Sequence, residues 1–154
     1  MTPEQRAAWD RFQADTGDLR KPYDIFAFGD GPELARELLD LVLAGTKQAT
    51  ASRFGLYQKI GLRPPATGDL SLVLDEQDRP ACVIETTRVD IAPFNTVTED
   101  FAWVEGEGDR SLDYWRAAHL SYFHRECGRE GTIFSEDEPI VFERFRLIWT
   151  LNPE

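Results

Sequence analysis

The chain has 154 residues, of which 42% are hydrophobic and 29% charged, and a formal net charge of −11 at neutral pH. That profile belongs to one soluble globular domain with a core of its own. It argues against a broad electrostatic grip on nucleic acid, because phosphate neutralisation supplies most nonspecific affinity.

The opening stretch is charged and holds no long apolar run, so neither a signal peptide nor a membrane span is expected. Cys82 and Cys127 have no metal-type spacing. Free thiols in a reducing cytoplasm are the expected state, with a disulfide as the alternative. A single domain over 1–154 is expected, with 1–22 as an N-terminal helical extension. Charge is uneven along it: residues 41–74 hold Lys47, Arg53, Lys59 and Arg63 against Asp69 alone, whereas 75–110 carry ten acids and three arginines.

Thr2, Pro3 and Glu4 form a helix start, with a hydroxyl cap, proline in the first turn and an early acid. Trp9 and Phe12 share a face of that helix, and Gly17 ends it. Tyr23 to Phe28 is a short apolar segment that suits a strand. Pro32 and Glu33 open a second helix, in which Leu34, Leu38, Leu41 and Val42 turn one stripe to the core. Gly45 suits the left-handed residue that closes a helix. Thr46 onward is then a sharply turned segment leading into a strand, and it presents Lys47, Thr50 and Ser52 from a rigid corner.

Residues 63–69 (Arg63 to Asp69) read as a loop from their turn residues. Leu70 to Leu74 and Ala81 to Ile91 read as two strands of a hairpin. Glu85 shares a face with Val83 and Val89, either as a buried acid or as a charge at a sheet edge. Thr98 caps a short helix to about Val104, and the loop Glu105 to Arg110 follows. Ser111 caps another helix that Gly128 ends, with Leu112, Trp115, His119 and Tyr122 on one stripe. On that apolar face His119 is first a hydrogen-bonded core residue and second an acid–base group. Ile140 to Leu151 is a closing strand with a core side and a partly basic side. Helices and strands do not alternate as regular βαβ units, so the fold class is α+β with a small curved or closed sheet.

The run Leu43-Ala44-Gly45-Thr46-Lys47-Gln48-Ala49-Thr50 resembles the signature of the ASCH domain family. The stretches Val104 to Asp109 with Ser111 to Trp115, and Phe134 to Pro139, are similar to later blocks of its longer bacterial type. The likeness spans residues 30–150. It implies a small, mixed, mostly antiparallel PUA-like β-barrel with flanking helices.

Two cysteines and two histidines are wrongly spaced for a closed zinc site, and no phosphate-binding glycine loop or Gly-x-Ser-x-Gly turn is present. No metal and no cofactor is expected. Lysine, hydroxyl and carboxylate remain. A threonine hydroxyl needs activation, which a lysine can supply as a base or as a cation beside the oxyanion. A carboxylate can then move the proton to a departing amine.

One branch of the family is implied to cleave N4-acetylcytidine to acetate and cytidine. Its motif lysine and threonine match Lys47 and Thr50. Its catalytic glutamate matches Glu107, with Glu105 the close competitor. Ser52, Arg53, Glu105, Tyr114 and Trp115 are the expected substrate contacts. Relatives often carry arginine two residues after the threonine, where this chain has Ser52 followed by Arg53. Two other readings compete. One is an RNA-binding or RNA-cleaving domain, with single-stranded RNA stacked on Tyr57, Tyr114 and Trp115 and its phosphates held by Lys47, Arg53, Lys59 and Arg63. The other is a sensor of a nucleoside or coenzyme-like ligand without chemistry. Lys47 as a plain solvated charge beyond a helix end is the bland reading of the same residues.

Overall fold

The computed structural model describes residues 1–152. The elements in chain order are helix α1 (Pro3–Thr16), strand β1 (Asp24–Ala27), α2 (Pro32–Leu43), β2 (Ala49–Arg53), α3 (Phe54–Ile60), β3 (Leu70–Leu74), β4 (Pro80–Pro93), α4 (Glu99–Glu105), α5 (Leu112–Glu130) and β5 (Pro139–Thr150). Thr2, Thr98 and Ser111 cap α1, α4 and α5 through their hydroxyls, as the sequence implied.

The strands form one sheet in the order β1-β3-β4-β5-β2. β1 and β3 are parallel, and every other pairing is antiparallel. The ladder between β4 and β5 shifts register at Val83/Ile84 and at Thr86/Arg88. Such bulges bend a strand and sharpen its twist, and the sheet curls into the α+β, PUA-like half-barrel. It does not close. β1 and β2 are its two edges, with no ladder between them.

Three apolar clusters cover the sheet. On one face Trp9 and Phe12 of α1 pack with Leu70, Leu72, Val83 and Trp149. On the other, Leu38, Leu39 and Val42 of α2 meet Val73, Ile84 and Phe145. Phe101 of α4 and Trp115 and Phe123 of α5 close over Ala49, Ile140 and Phe142 at the β2–β5 end. Cys82 and Cys127 are buried and free. No helix among the described residues is long and apolar enough to cross a membrane.

Three local expectations need correction. The sequence shows no capping residue before Phe54–Ile60, yet α3 stands there, closed by Gly61 in the left-handed region. α5 runs past Gly128 to Glu130 and is capped by Gly131, whose φ is 77°. Glu105 is the last residue of α4 and not the first of the loop. That last point decides its role in the site.

Candidate active site

The site begins at the turn after α2. Gly45 has a φ of 78°, and the next two amides, of Thr46 and Lys47, both donate to the Leu41 carbonyl at 2.9 and 3.0 Å. The chain is thereby folded back, and Lys47 enters the interior, where 1% of it is exposed. Its ammonium donates to the Ala49 carbonyl at 2.8 Å, Glu105 Oε2 at 2.9 Å and Glu107 Oε2 at 3.0 Å. All three N–H bonds are used.

The two carboxylates reach Lys47 because α4 docks beside the turn. Gln48 N–H donates to the Val104 carbonyl at 2.9 Å. Gly106 turns the chain at a φ of 74°, and a Cβ there would lie 2.3 Å from the Thr46 carbonyl oxygen. Only glycine meets both demands, of left-handed backbone and of close approach. Gly108 lies flat against the Tyr114 ring, 2.4 Å from where its Cβ would be.

Behind this layer, Glu105 Oε1 accepts from Trp115 Nε1 at 2.8 Å, and Oε2 lies 3.1 Å from His119 Nε2. His119 Nδ1 lies 2.9 Å from the Trp115 carbonyl, and the two rings stack with centroids 4.0 Å apart. Both ring nitrogens of His119 therefore face acceptors, which only the doubly protonated imidazolium satisfies.

The titration behaviour follows from these contacts. Burial opposes the Lys47 ammonium, but Glu105 and Glu107 outweigh it and raise the pKa. Burial likewise opposes the His119 cation, and Glu105 outweighs it. Glu105 is driven the other way. Burial works against its charge, while His119 and Lys47 overcome burial and hold the carboxyl well below the usual range. Glu107 has weaker help: burial and the neighbouring Glu105 charge push it up to about 7, against Lys47. One carboxyl is fixed as an anion, and the other is poised to exchange a proton near neutrality.

A cavity of about 310 Å³ opens in front of these groups. It occupies the gap between the sheet edges β1 and β2, with α5 along its side. Lys47, Thr50, Ser52, Glu105, Glu107 and Tyr114 all line it. Phe26, Phe28, Leu34 and Leu38 supply an apolar wall. Its size falls within the range of roughly 300–1,000 Å³ usual for ligand pockets.

Two expected substrate contacts lie elsewhere. Arg53 is on the opposite face of β2 from Ser52, as strand alternation requires. There it donates to Glu126 at 2.7 Å, to Glu138 at 3.3 Å and also to Glu130, joining β2 to α5 and to the segment before β5. Trp115 is buried in the core behind Glu105. Glu105 touches the cavity wall but has both oxygens committed to Lys47, Trp115 and His119. Tyr57 is buried, Lys59 pairs with Glu130 and Arg63 with Asp69, so the other aromatic and basic candidates are also engaged.

Sequence reasoning missed Glu143. It sits opposite Thr50 in the β2–β5 ladder, is buried, and accepts from Thr86 Oγ1 at 2.7 Å. Burial, with Asp69 and Asp24 adding to it, pushes its carboxyl up to about 7 against the Thr86 bond. The signal was available: strand alternation from Phe145 puts residue 143 on the inner face. Glu105, Glu107 and His119 bring three ligand-type atoms within 4.8 Å of one another. The cation between the two carboxylates is Lys47 itself.

Among solved structures, the chain is similar to the ASCH domain from Lactobacillus crispatus JV V101, with 32% identity and a TM-score of 0.87 over 97% of this chain and 96% of that one. It is similar in the same degree to the protein EF3133 from Enterococcus faecalis V583, with 32% identity and a TM-score of 0.88 over 97% and 91% of the two chains. No curated protein matches. The family model of the ASCH domain matches residues 24–149, which include both walls of the cavity and every side chain that contacts Lys47, and the chain belongs to the ASCH domain family.

Proposed function

We propose that the chain is an amidohydrolase that cleaves an acylated nucleoside such as N4-acetylcytidine into acetate and cytidine. The observation that carries this reading is one buried ammonium shared by two carboxyls of opposite character, at the wall of a cavity that Thr50 also lines. Lys47 is a cation and not a base, since its three protons are held by acceptors and its pKa is raised.

Thr50 Oγ1 attacks the amide carbon, and Glu107 accepts the hydroxyl proton. A protonated Glu107 loses most of its hold on Lys47. One ammonium N–H then turns to the oxyanion as that charge develops. When the C–N bond breaks, Glu107 returns the proton to the departing amine and an acyl ester remains on Thr50. Water then attacks the ester, Glu107 takes one of its protons and passes it to the departing Thr50 oxygen, and acetic acid leaves and ionises to acetate in solution. Glu105 stays ionised throughout, and it fixes Lys47 and His119 in place.

The test is turnover of N4-acetylcytidine, followed by the ultraviolet change on deacetylation, in wild type, Lys47→Ala and Thr50→Ala. Wild-type turnover that disappears in both variants is the expected result. Activity that persists in Thr50→Ala would remove the covalent step, and no turnover of any acylated cytosine would remove the reading.

Binding or cleavage of single-stranded RNA is the second reading. Tyr114, 40% exposed at the cavity, and Trp103, 56% exposed under the Arg110 guanidinium, favour it by offering ring faces. The cations it needs at phosphates are paired with acids. Binding that weakens steeply with salt would select it, and tight nucleoside binding without turnover would select a sensor.

A further inference from the structure

Hydrogen bonds between antiparallel strands fall on alternate residues, and the residues between them turn their N–H and C=O groups the other way. Phe145 N–H donates to the Gln48 carbonyl at 3.0 Å. In the same register Thr50 stands opposite Glu143 and Ser52 opposite Val141. Thr50 and Ser52 therefore carry the ladder bonds to β5. Ala49, Ala51 and Arg53 present their backbone groups to the open side of β2, an edge of the sheet. The Lys47 ammonium marks that direction, because it takes the Ala49 carbonyl from there at 2.8 Å. Ala51, two residues on, lines the cavity and is half-buried. A strand-edge N–H and C=O in such a wall form a template that favours pairing.

We propose that the N–H and C=O of Ala51 read the hydrogen-bonding edge of a planar nitrogen heterocycle, taking an acceptor and the donor beside it as a neighbouring strand would. The inference rests on the reading of the cavity as a nucleoside site and names how the base is recognised there. Within one extended residue the two backbone groups point the same way, so the ligand must offer its acceptor and donor side by side and in plane. Cytosine does so with N3 and N4–H, and acylation at N4 leaves both in place. Its acyl carbon is then one bond from the paired nitrogen, next to the strand position of Thr50. Phe26, Phe28 and Tyr114 supply ring-sized apolar surface around the same space. The cavity, about 310 Å³, suits a nucleoside rather than the several residues of an added peptide strand.

Ala51→Pro removes the N–H without breaking a ladder bond, and Ala51→Gly keeps it. The probes are cytidine and 3-deazacytidine, which carries a C–H in place of the N3 acceptor. Calorimetric titration of the wild type is expected to show cytidine binding at least tenfold tighter. That ratio should persist in Ala51→Gly and fall to about one in Ala51→Pro. In the amide NMR spectrum of the wild type, cytidine should shift the Ala51 signal and slow its exchange. This measurement and the wild-type ligand pair decide the matter if Ala51→Pro does not fold. Equal affinity for the two nucleosides, saturation without movement of the Ala51 signal, or no binding of cytidine would overturn the proposal. Discrimination against 3-deazacytidine without turnover of N4-acetylcytidine would uphold it and remove the hydrolase reading. Turnover with no discrimination would do the reverse.

Discussion

At the scale of single residues, Glu105 and Glu107 are chemically alike and do opposite work. Glu105 is buried between two cations, so Glu105→Gln takes from Lys47 one of its two carboxylates and from His119 the nearer of its two. Removing one partner of such a buried set costs about 3–5 kcal/mol, and denaturant unfolding should register a loss of that order. Glu107→Gln should leave stability nearly intact and lower turnover by roughly 100- to 10,000-fold, the usual worth of a general base. In wild type kcat/KM should rise with pH through about 7 as Glu107 ionises, and the glutamine variant should lose that limb. Glu143 gives a separate test through stability. A carboxyl whose folded pKa lies above its unfolded value binds its proton more tightly when folded. Its contribution is complete at low pH and is lost as pH rises from about 4.5 to about 7. Glu143→Gln should therefore match wild type below that window and exceed its stability above it, by about 3 kcal/mol near pH 8, read as a shift in Tm. Part of the cavity lining was legible: Lys47, Thr50, Ser52, Glu107 and Tyr114, which spacing and likeness single out, all line it. The depth of each was not. How deep Glu105 and Glu107 each lie depends on α4 ending one residue before a left-handed glycine, and Arg53 misses the cavity by the single step that reverses a strand's faces.

At the scale of elements, two glycines separate backbone cost from docking. Gly45 and Gly106 have φ values of 78° and 74°, yet a Cβ at Gly45 meets nothing within 4 Å while one at Gly106 meets Thr46 backbone. Gly45→Ala should cost about 1–2 kcal/mol, the price of the left-handed backbone alone. Gly106→Ala should cost more and should also abolish turnover, because it pushes α4 from the turn that holds Lys47. Equal Tm losses in the two variants would show that the close approach matters little. Most elements were readable from caps and periodicity. α3 was not, since it is seven residues long and Arg53 at its N-cap makes no side-chain capping bond. The premature end given to α5 has a related cause: Gly128 resembles a stop signal, and only the left-handed Gly131 is one.

At the scale of the whole molecule, the sheet depends on α1 for one of its faces. Phe12 is fully buried against that face, so Phe12→Ala should lower stability by about 3–5 kcal/mol while the remaining folded fraction keeps its turnover number. A fall in turnover per folded molecule would instead tie α1 to the site. The open form of the barrel was not written in any local pattern. It depends on β2 finding β5 about 90 residues away, Thr50 opposite Glu143, and periodicity within a strand does not encode such a partner. The same pairing sets when the cavity can form. Among the described residues β2 has no neighbour in the sheet except β5, which follows it by about 90 residues. A nascent chain on the ribosome, with Lys47, Thr50 and Glu107 already translated, still has no frame on which to hold Thr50. The wall of the cavity that Thr50 lines therefore forms only once Pro139–Thr150 is in place beside it.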